Sequence, residues 1–262
     1  MDQIPLQEVQ GLILRGYGMD ALRVFVLRVE QAAQARLLLA DFPVTNAVVW
    51  DKKPDFCLNV AITYDGLGAL GLDQPILTSF PEEFRQGAAA RAGKVADTGE
   101  SAPENWKGGL GGPGVHVLVL LFAQNGDIRE AQSQWLRELW TGAMSEISSH
   151  DGDMLPGNLA HFGFRDGISQ PTITGAPPNP FPDTQPQAPA GEFLLGYKSQ
   201  FTQFSYPIPS PPPLGLHGSF LALRLLAQDC AAFEKLLSTA PEKYVISGEK
   251  SPCRPPLDCS CQ

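Results

Sequence analysis

The order in which β-rich and helical segments alternate between residues 23 and 147 constrains this chain more than any other feature. Arg23-Val24-Phe25-Val26-Leu27-Arg28-Val29 is rich in β-branched residues and reads as a strand, and Gln31 to Ala40 is Ala/Leu-rich and helical. Val44 to Trp50 and Phe56 to Tyr64 read as two further strands. Ser79-Phe80-Pro81-Glu82 has the spacing of a capping box, with Phe84, Ala88 and Arg91 continuing a helix. Val115 to Phe122 is a continuous apolar run, the mark of a strand covered on both faces. Ile128, Ala131, Trp135, Leu139, Ala143 and Ile147 then fall on one face of a long helix. Strand, helix, two strands, helix, strand is the split β-α-β pattern of a ferredoxin-like α+β domain. The expected result is an antiparallel sheet over residues 23–123, covered by helices at 31–40 and 80–92.

Before this pattern, Gln10 to Tyr17 reads as a short extended segment bounded by glycines. After it, the chain changes character. Half of the 24 prolines lie between Pro171 and Pro213, so that stretch is an extended excursion. The apolar run around Gly191-Glu192-Phe193-Leu194-Leu195-Gly196-Tyr197 requires part of it to dock. Gly218 to Leu225 reads as a strand and Gln228 to Ser238 as a helix, too short a stretch to close a core of its own. The expected organisation is a ferredoxin-like domain at 1–160, a connecting segment at 161–213, the start of a second such domain at 214–244, and an aberrant tail at 245–262.

A net charge of −9 argues against a nucleic-acid surface, which needs basic residues to displace counterions. The longest apolar run, Val117 to Ala123, is too short to span a bilayer, so no membrane partner is expected. The N-terminal residues are acidic and lack the apolar stretch of a signal peptide, which makes the cytoplasm the expected location. Cys57 and Cys230, in apolar surroundings, read as buried thiols. Cys253, Cys259 and Cys261 crowd the last ten residues without paired zinc-ligand spacing, and that tail reads as out-of-frame sequence. A redox or metal-binding tail is the alternative.

One motif carries chemistry. In His161-Phe162-Gly163-Phe164-Arg165-Asp166-Gly167-Ile168-Ser169-Gln170-Pro171 a single carboxylate stands between glycines that permit close backbone approach. A carboxylate on a rigid, partly apolar turn is a way to hold an acid/base group against a flat cofactor or substrate. By itself, Arg165-Asp166-Gly167 is also a plain turn signal.

With these pieces in order the chain resembles the dye-decolorizing peroxidases, a haem peroxidase family built from two ferredoxin-like halves related to dimeric α+β barrels. The family's G-x-x-D-G motif is met by Gly163 to Gly167, within the longer form Phe162 to Pro171. Supporting matches are Gln10-Gly11, Gly66-Leu67-x-Ala69-Leu70-Gly71, Phe80-Pro81-x-x-Phe84-x-x-Gly87, Gly191-Glu192-Phe193 and Gly218-Ser219-Phe220 leading to Arg224. The resemblance spans residues 5 to 244. It implies oxidation of phenols and aromatic dyes by hydrogen peroxide at a haem b. Asp166 corresponds to the distal acid/base, which moves a proton between the two peroxide oxygens. Phe164, Gly167, Ile168 and Ser169 correspond to residues against the haem.

Here the sequence departs from the family. The proximal histidine and the arginine that stabilises charge on the peroxide belong to the family's second half, and neither is matched. Of the four histidines, His116 lies in a buried β-run, His150 in a polar loop, His161 at the opening of the distal motif and His217 before Gly218 at a strand start. None falls in the proximal segment, so no metal ligand is assigned. The expected chain is a truncated front part of such a peroxidase, with a homo-oligomer or a complementing second half as its protein partner. The alternatives are a ferredoxin-like fragment without catalysis and one half of a split enzyme.

Overall fold

A computed structural model describes residues 3–165, 167, 170–178, 186–201 and 204–239. They form two compact units, Met1–Asp153 with Ser169–Ala222 and Met154–Ile168 with Leu223–Gln262. In the first, a single helical turn α1 (Gly11–Leu14) precedes strand β1 (Ala21–Val29), helix α2 (Ala32–Ala40) and strand β2 (Phe56–Ile62). Three short helices follow, α3 (Tyr64–Ala69), α4 (Gln74–Leu77) and α5 (Glu82–Ala90). Strand β3 (Val117–Ala123), helix α6 (Gly126–Trp140) and strand β4 (Met144–Asp153) complete the module.

The sheet order is β2-β3-β1-β4 with every neighbouring pair antiparallel. That is the ferredoxin-like arrangement expected from the alternation, since each helical crossover skips one strand and a later strand fills the gap. Period-two alternation sends Phe25, Leu27, Leu58, Val119 and Leu121 to one face, where they pack with Ala35 of α2 and Leu136 and Trp140 of α6. The opposite face carries Cys57 and Phe122 against Tyr17, Met19 and Trp50. Both faces are therefore covered, which explains why β3 is apolar throughout.

Five details differ from the sequence reading. Residues 44–50 form only one bridge, Gln10 to Asn46, because their backbone groups go to several partners. Thr45 N–H donates to Leu58 O, Thr45 O accepts from Gly11 N–H, and Ala47 N–H is shared by Leu6 O and Val9 O. Within the segment at 10–17, Gly11–Leu14 forms a helical turn, as Ile13 and Arg15 N–H bond back to Gln10 and Gly11. Ser79 caps no helix. Its hydroxyl donates to Ile76 O and accepts from Ser210 N–H, while α5 starts behind Pro81, breaks at Gly87 (φ 73°) and ends before Arg91. The helix sharing a sheet face with α2 is α6 and not α5, which packs with α3.

Finally, α6 stops at Trp140, where Gly142 takes φ 84° and turns the chain. Ala143 lies beyond the helix and Ile147 belongs to β4, as does His150, which is thus on a strand and not in a loop. The buried positions of α6 are Ser133, Leu136 and Trp140, whereas Trp135 and Leu139 remain 37% and 39% exposed.

Ser133 is buried because an arginine needs it. Arg23 is 8% exposed on the α6 face of β1. Its guanidinium donates to both oxygens of Asp151 (2.6 and 2.6 Å), to both oxygens of Glu130 (2.9 and 2.8 Å) and to Ser133 Oγ at 3.0 Å. Hydrogen bonding to Arg23 holds both carboxyls below their usual range. A carboxyl whose folded pKa is depressed adds stability above its unfolded value of about 4, and loses it as pH falls through the folded value. Arg23→Met should therefore cost about 2 kcal/mol at pH 7, discounted for the exposure of both carboxylates. Urea melts at pH 7 and pH 3 check this, and a variant that is equally destabilised at both would sink it.

The excursion at 171–213 docks as expected. Thr172–Ile173 (β5) pairs in parallel with Gln187–Ala188 (β6), and Ile173, Leu194 and Tyr197 pack on Ile4, Val9, Leu14 and Ala47. No helix among the described residues is long and apolar enough to cross a membrane.

Candidate active site

The second unit holds the motif turn and helix α7 (Cys230–Thr239), close to the helix expected at 228–238. The strand expected at 218–225 is not formed among the described residues. Cys230 is partly exposed and not buried, and its thiol donates to His161 O at 3.2 Å. Cys57 is buried as expected, and burial pushes its thiol up to about 11.

The turn closes on itself. Leu159 and Arg165 form an antiparallel bridge, Ala160 N–H donates to Phe164 O at 2.8 Å, and Gly163 N–H donates to Ala160 O at 2.8 Å. Gly163 adopts φ 82° and Gly167 φ 69°, a region that L side chains rarely enter. The turn's aromatics lean on α7, with Phe162 and Phe233 centroids 4.6 Å apart and Phe164 meeting Phe233 edge-on at 6.0 Å. Phe233 is a positioning residue that sequence reasoning missed, and its place in the Gln228–Ser238 helix was the available signal. Phe164 stays 55% exposed. Asp166, Ile168 and Ser169 lie outside the described residues.

Gly167 is held by its backbone and not by crowding. A Cβ there would meet Asn158 Nδ2 at 3.4 Å, an ordinary distance, while φ 69° would strain any β-branched residue. Gly167→Val should cost about 1–3 kcal/mol of local stability through strain, measured as faster amide exchange at residues 159–167. Unchanged exchange would count against it.

Three of the four histidines have a ring nitrogen engaged within the fold. His116 Nδ1 accepts Val29 N–H at 2.9 Å, which leaves the proton on Nε2 and no lone pair to offer, and burial holds its pKa down. His150 Nε2 faces Gly108 O at 2.9 Å on β4, packed so closely that a Cβ at Gly108 would lie 2.3 Å from its ring. His217 Nδ1 is bonded to Tyr197 Oη at 2.9 Å, and its Nε2 lies 3.7 Å from Glu8. His161 lies within the motif turn, its backbone oxygen taken by Cys230. Among the described residues no three His, Cys, Asp or Glu gather as a metal site.

An antiparallel module with strand order β2-β3-β1-β4, two helices on one face and a glycine-hinged acid turn downstream makes this a ferredoxin-like α+β protein. The chain is homologous to about half of a dye-decolorizing peroxidase. It is 30% identical over 242 residues to dye-decolorizing peroxidase msp1 of Mycetinis scorodonius, covering 88% of this chain and 45% of that protein. It is 31% identical over 246 residues to a dye-decolorizing peroxidase of Exidia glandulosa, covering 89% and 46%. Among solved structures it superposes on AauDyP complexed with imidazole with a TM-score of 0.73 at 24% identity, covering 95% of this chain and 53% of that one. A dye-decolorizing peroxidase complexed with 2,6-dimethoxyphenol matches with a TM-score of 0.66 at 25% identity, covering 82% and 48%. No family model matches the chain. The chain thus spans about half the length of the curated relatives it matches.

Proposed function

We propose that this chain provides the acid/base side of a dye-decolorizing-type haem peroxidase, and that the iron ligand comes from protein outside it. The observation that carries the reading is the pairing of the Phe162-to-Pro171 motif with homology over nine tenths of the chain. The positive φ angles at Gly163 and Gly167 support it, because both ends of the G-x-x-D-G turn use backbone conformations that favour glycine. Asp166 is the proton-transferring carboxylate, and Phe164, Gly167, Ile168 and Ser169 line the haem. Haem b would supply the redox chemistry. The engaged histidines support an iron ligand elsewhere. Hydrogen peroxide is the oxidant and an aromatic compound the reductant. A relative solved with 2,6-dimethoxyphenol supports the phenol class.

In this reading residues 1–160 are the first ferredoxin-like domain, 161–213 the motif and connecting segment, and 214–244 the start of a second domain. The tail at 245–262 lies outside the described residues. The cytoplasm is the proposed setting, where the buried thiol of Cys57 would stay reduced. In this reading residues 1–244 need the ligand-bearing half of such a peroxidase for turnover. The test is to titrate the purified chain with hemin, alone and with a separately expressed second half, and to assay dye oxidation by peroxide. A histidine-type Soret band and turnover are expected only in the mixture, and Asp166→Asn should remove the turnover. Turnover by the chain alone would overturn the ligand assignment, and a mixture that binds haem yet ignores Asp166→Asn would overturn the acid/base role.

A further inference from the structure

The first unit contains a cleft that the peroxidase reading does not use. It measures about 640 Å³ and lies beside the start of α5. Its floor is Leu194, 2% exposed, and its aromatic walls are Phe193, Tyr206 and Phe220. These rings are held in place. Phe220 rests on Phe84 at 5.2 Å, Phe84 on Phe80 at 5.2 Å, and Phe204 meets Tyr206 edge-on at 5.4 Å. The surrounding strands of backbone are tied across the cleft as well. Ser210 N–H donates to Ser79 Oγ at 2.9 Å, Leu195 N–H to Gly218 O at 2.9 Å, and His217 N–H to Leu195 O at 3.2 Å.

Two carboxylates complete the lining. Glu83 stands in the first turn of α5, with Arg91 Nη2 3.7 Å from one of its oxygens. Glu192 accepts Gln200 N–H through Oε1 at 2.6 Å, which fixes its carboxylate plane. No described lysine or arginine lines the cleft. Aromatic faces attract cations through the ring quadrupole, and carboxylates on the same wall add a direct Coulombic attraction. A net charge of −9 works in the same direction at longer range.

We propose that this cleft binds a flat aromatic cation. A neutral aromatic gains only the apolar contact, and an aromatic anion meets two like charges. The inference stands on the cleft itself and needs no haem, so its failure and that of the peroxidase reading are separable. The experiment is isothermal titration of the full chain with methylene blue (a planar cation), 2,6-dimethoxyphenol (neutral) and anthraquinone-2-sulfonate (an anion). The cation should bind about tenfold more tightly than the neutral phenol, equivalent to about 1.4 kcal/mol, and should weaken with added salt. The anion should not compete. The double variant Glu83→Gln with Glu192→Gln should lose about tenfold in affinity for the cation, while the Gln at 192 retains the bond to Gln200. Phe220→Leu should weaken binding similarly and Phe220→Tyr should restore it. Circular dichroism tells lost binding from lost folding, and the carboxylate pair, both exposed, carries the test if Phe220→Leu misfolds. Equal affinity for cation and phenol, no binding of the cation, or indifference to the carboxylate variant would each overturn the proposal.

Discussion

Gly66→Ala is expected to destabilise the first unit by about 3 kcal/mol or more, although Ala is the better helix former by about 1 kcal/mol. Gly66 sits in α3, and a Cβ there would lie 2.1 Å from His116 O, 2.7 Å from its carbonyl carbon and 2.9 Å from its Cα. All three are backbone atoms, so no side-chain rotation relieves the clash. The helix cannot withdraw either. Thr63 N–H donates to the same His116 O at 3.0 Å, Thr63 Oγ1 donates to Val115 O at 2.6 Å, and Gly66 N–H donates to Thr63 Oγ1 at 2.9 Å. These bonds lock the start of α3 to the residues entering β3, and moving one strains the other. Urea unfolding at pH 7 measures the effect, and a variant as stable as the parent would show that α3 has room to shift.

Phe25→Ala is expected to cost about 3–5 kcal/mol, a large share of the 5–15 kcal/mol that typically holds a domain. Phe25 has no exposed surface and lies in the central strand, opposite Val119 on β3 and Ser149 on β4. Its ring meets Trp140 edge-on at 5.0 Å, and the Arg137 guanidinium lies 5.3 Å from the ring centroid. Truncation removes apolar burial, the aromatic pair and the cation contact together. It also leaves a cavity walled by two strands and α6, which cannot collapse without breaking the ladders. Thermal melts give the loss, with the near-ultraviolet signal of Trp140 as a local report. A decrease under about 1.5 kcal/mol would mean that Trp140 refills the space.

The chain's alternation of β-branched and helical segments determined the α+β class. It also determined four of the principal elements, since β1, α2, β2 and β3 follow directly from local composition. The same is true of the acid turn, because Gly163 and Gly167 are where the backbone needs positive φ. Residues 44–50 show where local composition fails. They have strand propensity, but their backbone partners lie on several different segments, and only the assembled module supplies those. At α6 the periodic apolar face pointed to Trp135 and Leu139, whereas the buried face was chosen by Arg23, which draws Ser133 inward from a strand distant in sequence. Gly66 was legible as part of a family motif, yet its reason is a carbonyl fifty residues away. The histidines behave alike. The sequence assigned none of them as a ligand, and the tertiary hydrogen bonds of His116, His150 and His217 show what those rings do instead, which is to hold the fold. Local propensity and periodicity act within a few residues and can be read along the chain. Burial, steric exclusion and long-range hydrogen bonds depend on what the fold brings opposite each residue, so only the tertiary structure decided them.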